Sequence, residues 1–207
     1  MPLNGHPLSE QCLANDEALT RCYVVSAMPH PLLAEYLAAR DKIDDAARAI
    51  AERRQADLAC KPGCHSCCVG GLSILSVEAF ALQEHVDAHG LSSPPSPPPG
   101  GCAFLDRGGA CTVYEARPFV CRTHGLPLRM PRETSGERPA QRRTLRVLDD
   151  TEVCELNFTK RTPAAEDVLD AERISALLLV VEQRFRAAAG LEGAYQRISL
   201  EGLLEQG

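Results

Sequence analysis

Cys60-Lys61-Pro62-Gly63-Cys64-His65-Ser66-Cys67-Cys68 is the stretch around which this chain is organised. It sets four thiols within nine residues, and Cys102, Cys111, Cys121 and Cys154 follow downstream. Residues 60 to 154 hold eight of the ten cysteines, leaving only Cys12 and Cys22 for the rest of the chain. Thiolates are soft ligands that select zinc, copper(I) and iron–sulfur clusters. Cys64-x2-Cys67 has the short spacing of a zinc knuckle, in which a tight turn aims two sulfurs at one ion. Lys61-Pro62-Gly63 supplies a second turn, so Cys60 reaches the same centre. The remaining ligands must come from Cys102, Cys111, Cys121 or Cys154. Eight thiolates serve either two four-coordinate ions or one polynuclear cluster. Adjacent Cys67 and Cys68 point different ways, so the pair is not assigned to one mononuclear ion.

Composition narrows the choice among disulfides, metal and redox chemistry. The chain of 207 residues is 44% apolar, enough for a core, but only 4% aromatic and without Trp. Such a core rests on Leu, Val and Ala, and cross-links through a metal would help the cysteine-rich half. The net charge of −6 argues against wholesale nucleic-acid binding. The longest strongly apolar run, Ala176 to Val181, is far too short to cross a bilayer. The N-terminus lacks a basic region followed by an apolar one, so nothing marks it for secretion. The expected compartment is the cytoplasm, where thiols stay reduced, which favours metal over disulfides.

Outward from the knuckle, the sequence predicts helices. Pro31 to about Leu58 is rich in good helix formers. Leu32, Tyr36, Ala39, Ile43, Ala46 and Ile50 recur every three or four residues as one apolar stripe. A short helix near Glu17 to Val24 is the most that the first 30 residues allow. After the knuckle, Val69 to Leu75 reads as extended, and Ser76 as the N-cap of a helix to His89, stopped by Gly90. Ser92 to Gly101 is a proline-rich spacer. Asp106 to Gly109 is a turn that folds Cys102 back towards Cys111. Tyr114 to Cys121 suggests one helical turn, Thr144 to Leu148 a short strand, and Asp149-Asp150 a turn. Thr162-Pro163 reads as the start of the last long helix, with Ile174, Leu177, Leu178, Val181, Phe185 and Ala188 on one face and Gly190 as its stop. Ile198 to Leu204 is an amphipathic piece expected to dock on the core.

Eight Arg and two Glu lie between Ala116 and Val147. Arg117 and Arg122 flank Cys121 and are candidates to offset the negative charge of a thiolate centre from its outer shell. Arg138, Arg142 and Arg143 read as a solvated basic loop. His65 and His124 rank below the cysteines as ligands, while His6, His30, His85 and His89 read as surface residues. No nucleophile–His–acid arrangement, phosphate-binding glycine loop or H-E-x-x-H pattern is present.

CKPGCHSCC, the segment SVEAFAL, and CAFLDRGGACTVYEARPFVCR together resemble the YkgJ-type cysteine-cluster family of zinc- or iron-chelating domains. The matching positions are Cys60, Cys64, Cys67 and Cys68; Cys102, Phe104 and Leu105; and Cys111, Val113, Tyr114, Glu115, Arg117, Pro118, Cys121 and Arg122. Cys154 is the expected downstream member, so the resemblance covers about residues 60 to 155. It implies metal binding, with the ion open between zinc and iron and an iron–sulfur cluster included. Some flagellin lysine N-methylases carry a similar cluster, which keeps a metal-dependent enzyme as the alternative, either lysine methylase-like or redox. Cys60-x3-Cys64-x2-Cys67 also has the spacing of the radical S-adenosylmethionine signature, but one helix and a proline run follow it where that chemistry needs a large α/β barrel.

These readings sum to a mainly α fold with irregular metal-binding loops and little strand, in which a cysteine-cluster domain is flanked by helices. Residues 1–30 form an N-terminal arm. Residues 31–207 form a single domain, with its cluster core at 60–155 and C-terminal helices at 163–206. The expected partner is a metal ion, with no membrane and no protein partner legible.

Overall fold

Pro31 opens the first helical segment because its fixed φ suits a first turn and its missing N–H is not needed there. The computed structural model describes residues 10–12, 22–24, 30–61, 63–91, 99–131 and 145–203. Pro31–Leu33 forms a 3-10 turn, and the His30 ring nitrogen accepts from the Leu32 amide at 3.2 Å. Helix α1 follows over Ala34–Arg53. Of the expected stripe, Tyr36, Ala39, Ile43 and Ile50 are buried, while Leu32 and Ala46 lie at its half-exposed margin. Helices α2 (Ser76–Ala88), α3 (Phe119–Thr123) and α4 (Ala171–Ala189) complete the set among the described residues.

All five phenylalanines are buried, which compensates for the scarcity of aromatics. Each contributes about 1.5–3 kcal/mol of transfer free energy. Tyr36 of α1 stacks on Phe119 of α3 at 5.6 Å between ring centroids, and Phe80 of α2 meets Phe185 of α4 at 5.5 Å. These rings centre one cluster, in which α1, α2, α3 and α4 meet. A second cluster joins Ile74, Leu82, Phe104, Val113, Ala116, Leu200 and Leu203, and packs against Cys102 and Cys111.

Buried carboxylates lock the helices together. Glu182 of α4, fully buried, accepts from the Ser76 and Val77 amides at 3.3 and 2.8 Å and so caps α2 from the other end of the sequence. Ser76 is therefore the first helical residue rather than the N-cap, because a carboxylate satisfies the free amides better than a hydroxyl. Glu78 accepts from Leu75 and, at 2.9 Å, from the Phe119 amide, tying the starts of α2 and α3. Burial pushes the Glu78 carboxyl above its ordinary pKa.

The expectation of little strand is overturned. Among the described residues about 47% are helical and 13% lie in strands, making a mixed α/β fold. Strands β1 (Glu10–Cys12) and β2 (Cys22–Val24) pair antiparallel, so strand stands at Cys22–Val24 where the sequence suggested a helix; residues 13–21 lie outside the described set. Strand β3 (Ser73–Ile74) pairs with β8 (Ile198–Ser199), docking the C-terminal piece as expected. The larger sheet has four strands in the order β5 (Leu145–Leu148), β6 (Thr151–Cys154), β4 (Leu128–Arg129) and β7 (Leu169–Asp170). β5 and β6 form a hairpin through Asp149-Asp150, with Asp149 at φ 57°, and β4 runs parallel to β7.

That sheet also shortens the last helix, which begins at Ala171 rather than at Pro163. Asp170 caps it by accepting from the Arg173 amide at 3.0 Å. Residues ahead of it are held by other bonds: buried Asp167 pairs with Arg54 at 2.6 Å and with Arg53, and Leu169-Asp170 joins β4. The stop at Gly190 is a left-handed cap, φ 68°. No helix among the described residues is long and apolar enough to cross a membrane.

Candidate metal centre

Two successive tight turns shape the knuckle. The Cys64 amide donates to the Lys61 carbonyl and the Cys68 amide to the His65 carbonyl, each at 2.9 Å. Cys68 then hands the chain to its partner segment. Its carbonyl accepts from the Cys102 amide at 3.0 Å, and Val69 bridges Gly101. The expected return of Cys102 towards Cys111 is present. Asp106 Oδ1 accepts from the Gly108 and Ala110 amides at 2.8 and 2.9 Å, and Leu105 bridges Cys111. His65 lies against the turn at Gly109, where an added Cβ would sit 2.2 Å from its Nδ1.

All eight cysteines of the 60–154 region are free thiols, and their mutual electrostatics divide them. Burial pushes Cys102, Cys111 and Cys121 above the usual thiol range, and charge on neighbouring sulfurs adds to it. The sulfurs acting on Cys121 are Cys102, Cys68 and Cys111; those on Cys102 are Cys111 and Cys68; that on Cys111 is Cys68. Each of these four thus acts electrostatically on the others. The positive charge of Arg117 opposes the upward shift at Cys111 and Cys121 and adds to the downward one at Cys68. Cys154 is raised by burial and by Cys60 and Cys64. Cys67 is raised by its hydrogen bond to Cys68, by burial, and also by Cys154 and Cys60. Cys68, receiving that bond, is drawn down to about 7.

Cys60 and Cys154 are tied together by Asn157, which is fully buried. Its Oδ1 accepts from the Ala59 amide at 2.8 Å. Its Nδ2 donates to the Gly125 carbonyl at 2.7 Å and to Cys60 Sγ at 3.3 Å. The Asn157 amide bonds the Cys154 carbonyl at 2.9 Å, and the Cys154 amide reaches Gly125. Gly125, at φ 90°, sits in the middle: a Cβ there would lie 3.6 Å from Cys60 Sγ and 3.7 Å from Cys154 Cβ. That backbone conformation favours glycine.

The flanking cations have different settings. Arg117 lies 3.6 Å above the Tyr114 ring and donates to the Tyr114 carbonyl. Arg122 is buried and bonded to Asp44 and to the carbonyls of Arg117 and Glu115, binding this loop to α1. His124 is largely buried, and its Nε2 has no hydrogen-bond partner. Burial lowers its pKa, and Glu152 is the neighbour that raises it.

As placed, no three His, Cys, Asp or Glu side chains among the described residues form a set able to hold a metal ion. Four sulfurs about 2.3 Å from one zinc ion define a closed thiolate site. The thiol donors are of the type that suits a soft ion.

A family model described as "CxxCxxCC: Putative zinc- or iron-chelating domain" matches residues 59–161. Residues 59–161 belong to this cysteine-cluster family. Neither curated proteins nor solved structures return a match. The cysteine-cluster segment contains all eight of these thiols, and the helices α1 and α4 lie outside it. Sequence reasoning missed Asn157 and Gly125, which sit inside the cysteine-cluster segment. The only local hint was position: Asn157 follows Cys154 by three residues, the separation of one turn.

Proposed function

We propose that this protein binds zinc or iron through the thiolates of Cys60, Cys64, Cys67, Cys68, Cys102, Cys111, Cys121 and Cys154. The observation that supports the reading is that eight free thiols lie within residues 59–161, the segment that matches the cysteine-cluster family. Buried thiols raised in pKa are poor company for one another unless protonated or bound to a cation. A soft ion replaces several protons and holds the sulfurs as thiolates. Bound there, the ion supplies a cross-link joining the knuckle to the 102–121 segment and to β6. Arg117 offsets negative charge on one side of the centre. Arg122 serves the centre by holding the 115–117 carbonyls, and with them Arg117, against α1.

Elemental analysis of protein purified without oxygen tests this. Stoichiometric zinc in a colourless protein selects a zinc centre; a brown protein with iron and acid-labile sulfide selects an iron–sulfur centre. Cys121→Ser lowers metal content and loosens the fold, because binding free energy at structural sites, about 10–16 kcal/mol in zinc-finger peptides, is also folding free energy. Cys12→Ser leaves metal content unchanged. Wild-type protein that neither contains nor takes up zinc or iron refutes the proposal.

A further inference from the structure

We infer that the outward face of α4 is an interface for a second copy of this chain, formed by antiparallel pairing of the two α4 helices across a two-fold axis at Leu179. The inference stands apart from the metal-binding reading.

Helix α4 is apolar on both sides. Its inner face packs Val181, Phe185 and Ala189 into the cluster shared with α1 and α2. Its outer face carries Ala176, Leu179, Val180, Gln183 and Ala187, all exposed, with Leu179 at 49% and Val180 at 47%. Between Arg173 and Arg184 the only charged side chain is Glu182, which is fully buried and bonded to the α2 amides. Ten residues, Ile174 to Gln183, therefore pass without an outward charge. A helix facing solvent ordinarily carries charged and polar residues on its outer side, and one that is apolar all round is covered all round. A single exposed Leu is unremarkable, but adjoining apolar residues along three turns mark an interaction site.

The charges at the two ends select the occupant. Glu172 is exposed in the first turn, and Arg186 lies in the last turn at the margin of the same face. Each is seven positions from Leu179 (179 − 172 and 186 − 179), close to two full turns, so all three share one side of the helix. A two-fold axis through Leu179, perpendicular to the helix, places Glu172 opposite the Arg186 of a second copy and repeats the pair at the other end. Parallel pairing would instead set Glu172 against Glu172 and lay the two helix dipoles side by side in the same direction. The Arg186 guanidinium is held by the carbonyls of Glu192, Gly193 and Ala194. Its contact with the Glu182 carboxylate is 3.9 Å long, so its charge is only partly offset within the chain. Tyr195, 51% exposed with its ring 5.4 Å from that guanidinium, lengthens the apolar strip at this end. Such a contact is isologous and closes on itself, giving a dimer and not a filament.

The size of the strip sets its strength. From Glu172 to Ala187 it runs about 22 Å, and it is one helix, roughly 10 Å, wide. That is well under the roughly 800 Å² per partner of a standard interface. Association is therefore reversible, with a dissociation constant of about 10–100 µM.

Sedimentation velocity of the full chain as purified, under reducing conditions that prevent intermolecular disulfides, tests this. The wild type should pass from monomer to dimer as its concentration rises to about 0.5 mM. Leu179→Glu and Leu179→Lys alter an exposed position, so each should keep the wild-type circular dichroism spectrum yet stay monomeric, because like charges meet at the axis. An equimolar mixture of the two should dimerise, because opposite charges then face each other. Glu172→Lys leaves the apolar centre intact and should weaken dimerisation about tenfold by replacing two attractions with two repulsions. A wild type that is monomeric throughout would overturn the inference, as would a Leu179→Glu variant that dimerises like the wild type. A mixture that remains monomeric, or a Glu172→Lys variant of unchanged affinity, would refute the antiparallel pairing about Leu179.

Discussion

Replacing Asn157 by Leu removes a side chain of similar size whose polar ends make three contacts. The change strands the Ala59 amide, bonded at 2.8 Å, and the Gly125 carbonyl, bonded at 2.7 Å, and takes an N–H from Cys60 Sγ. Leaving a buried donor or acceptor without a partner costs about 1–3 kcal/mol each. The Gly125 carbonyl keeps the Cys154 amide at 3.4 Å, and Ala59 is exposed, so both costs fall towards the lower end. The sulfur contact adds little, because Cys60 is exposed and water replaces the lost donor. The expected loss is about 2–3 kcal/mol, read by urea denaturation of the reduced, metal-free protein, where the transition is not coupled to ion release. With metal present, metal affinity should also fall. Asn157→Asp separates packing from charge. It keeps the Ala59 contact but sets a carboxylate against the Gly125 carbonyl and the Cys60 sulfur, so metal affinity should fall further than in the Leu variant. A Leu variant within 0.5 kcal/mol of wild type by the same assay, a margin typical of surface sites, with unchanged metal affinity would refute the role assigned to Asn157.

Glu182→Ala exposes the α2 amides of Ser76 and Val77 to an empty, dry pocket and frees Arg186, which lies 3.9 Å away; a loss of about 3 kcal/mol in thermal or urea unfolding is expected. Gly109→Ala meets His65 at 2.2 Å and a φ of 78°, so it should displace the knuckle and lower metal affinity at least tenfold by competition with a chromophoric chelator, whereas Gly90→Ala, with open space around it, should not. Metal affinity should fall as pH is lowered, because protons compete for thiolates and burial already favours protonation at Cys102, Cys111 and Cys154. The metal-free protein has the opposite dependence. Thiols raised in the fold contribute stability below the unfolded thiol pKa, about 8.5, and that stability is lost as pH rises through their folded values. Thermal unfolding of metal-free protein between pH 7 and about 10 reads it.

Local chemistry made much of this protein legible from its residues alone. The apolar stripe of α1, the Asp106–Gly109 turn, the Asp149-Asp150 hairpin and the stop at Gly190 each rest on interactions within a few residues, so their signals are written side by side. The inventory of thiols is likewise a property of composition and spacing. The four-stranded sheet was not legible, because β4 and β7 have two residues each and no alternation to detect; their parallel pairing exists only once the chain has folded back. The start of α4 was misplaced for the same reason, since Leu169 and Asp170 are claimed by that sheet. The cap on α2 comes from Glu182, 106 residues from Ser76, and no N-cap rule reaches that far. Asn157 carried no motif either. The residues thus specified which donors are available and which local segments coil or turn. Packing alone determined which sulfurs became neighbours, because proximity across a hundred residues depends on long-range burial and on paired backbones.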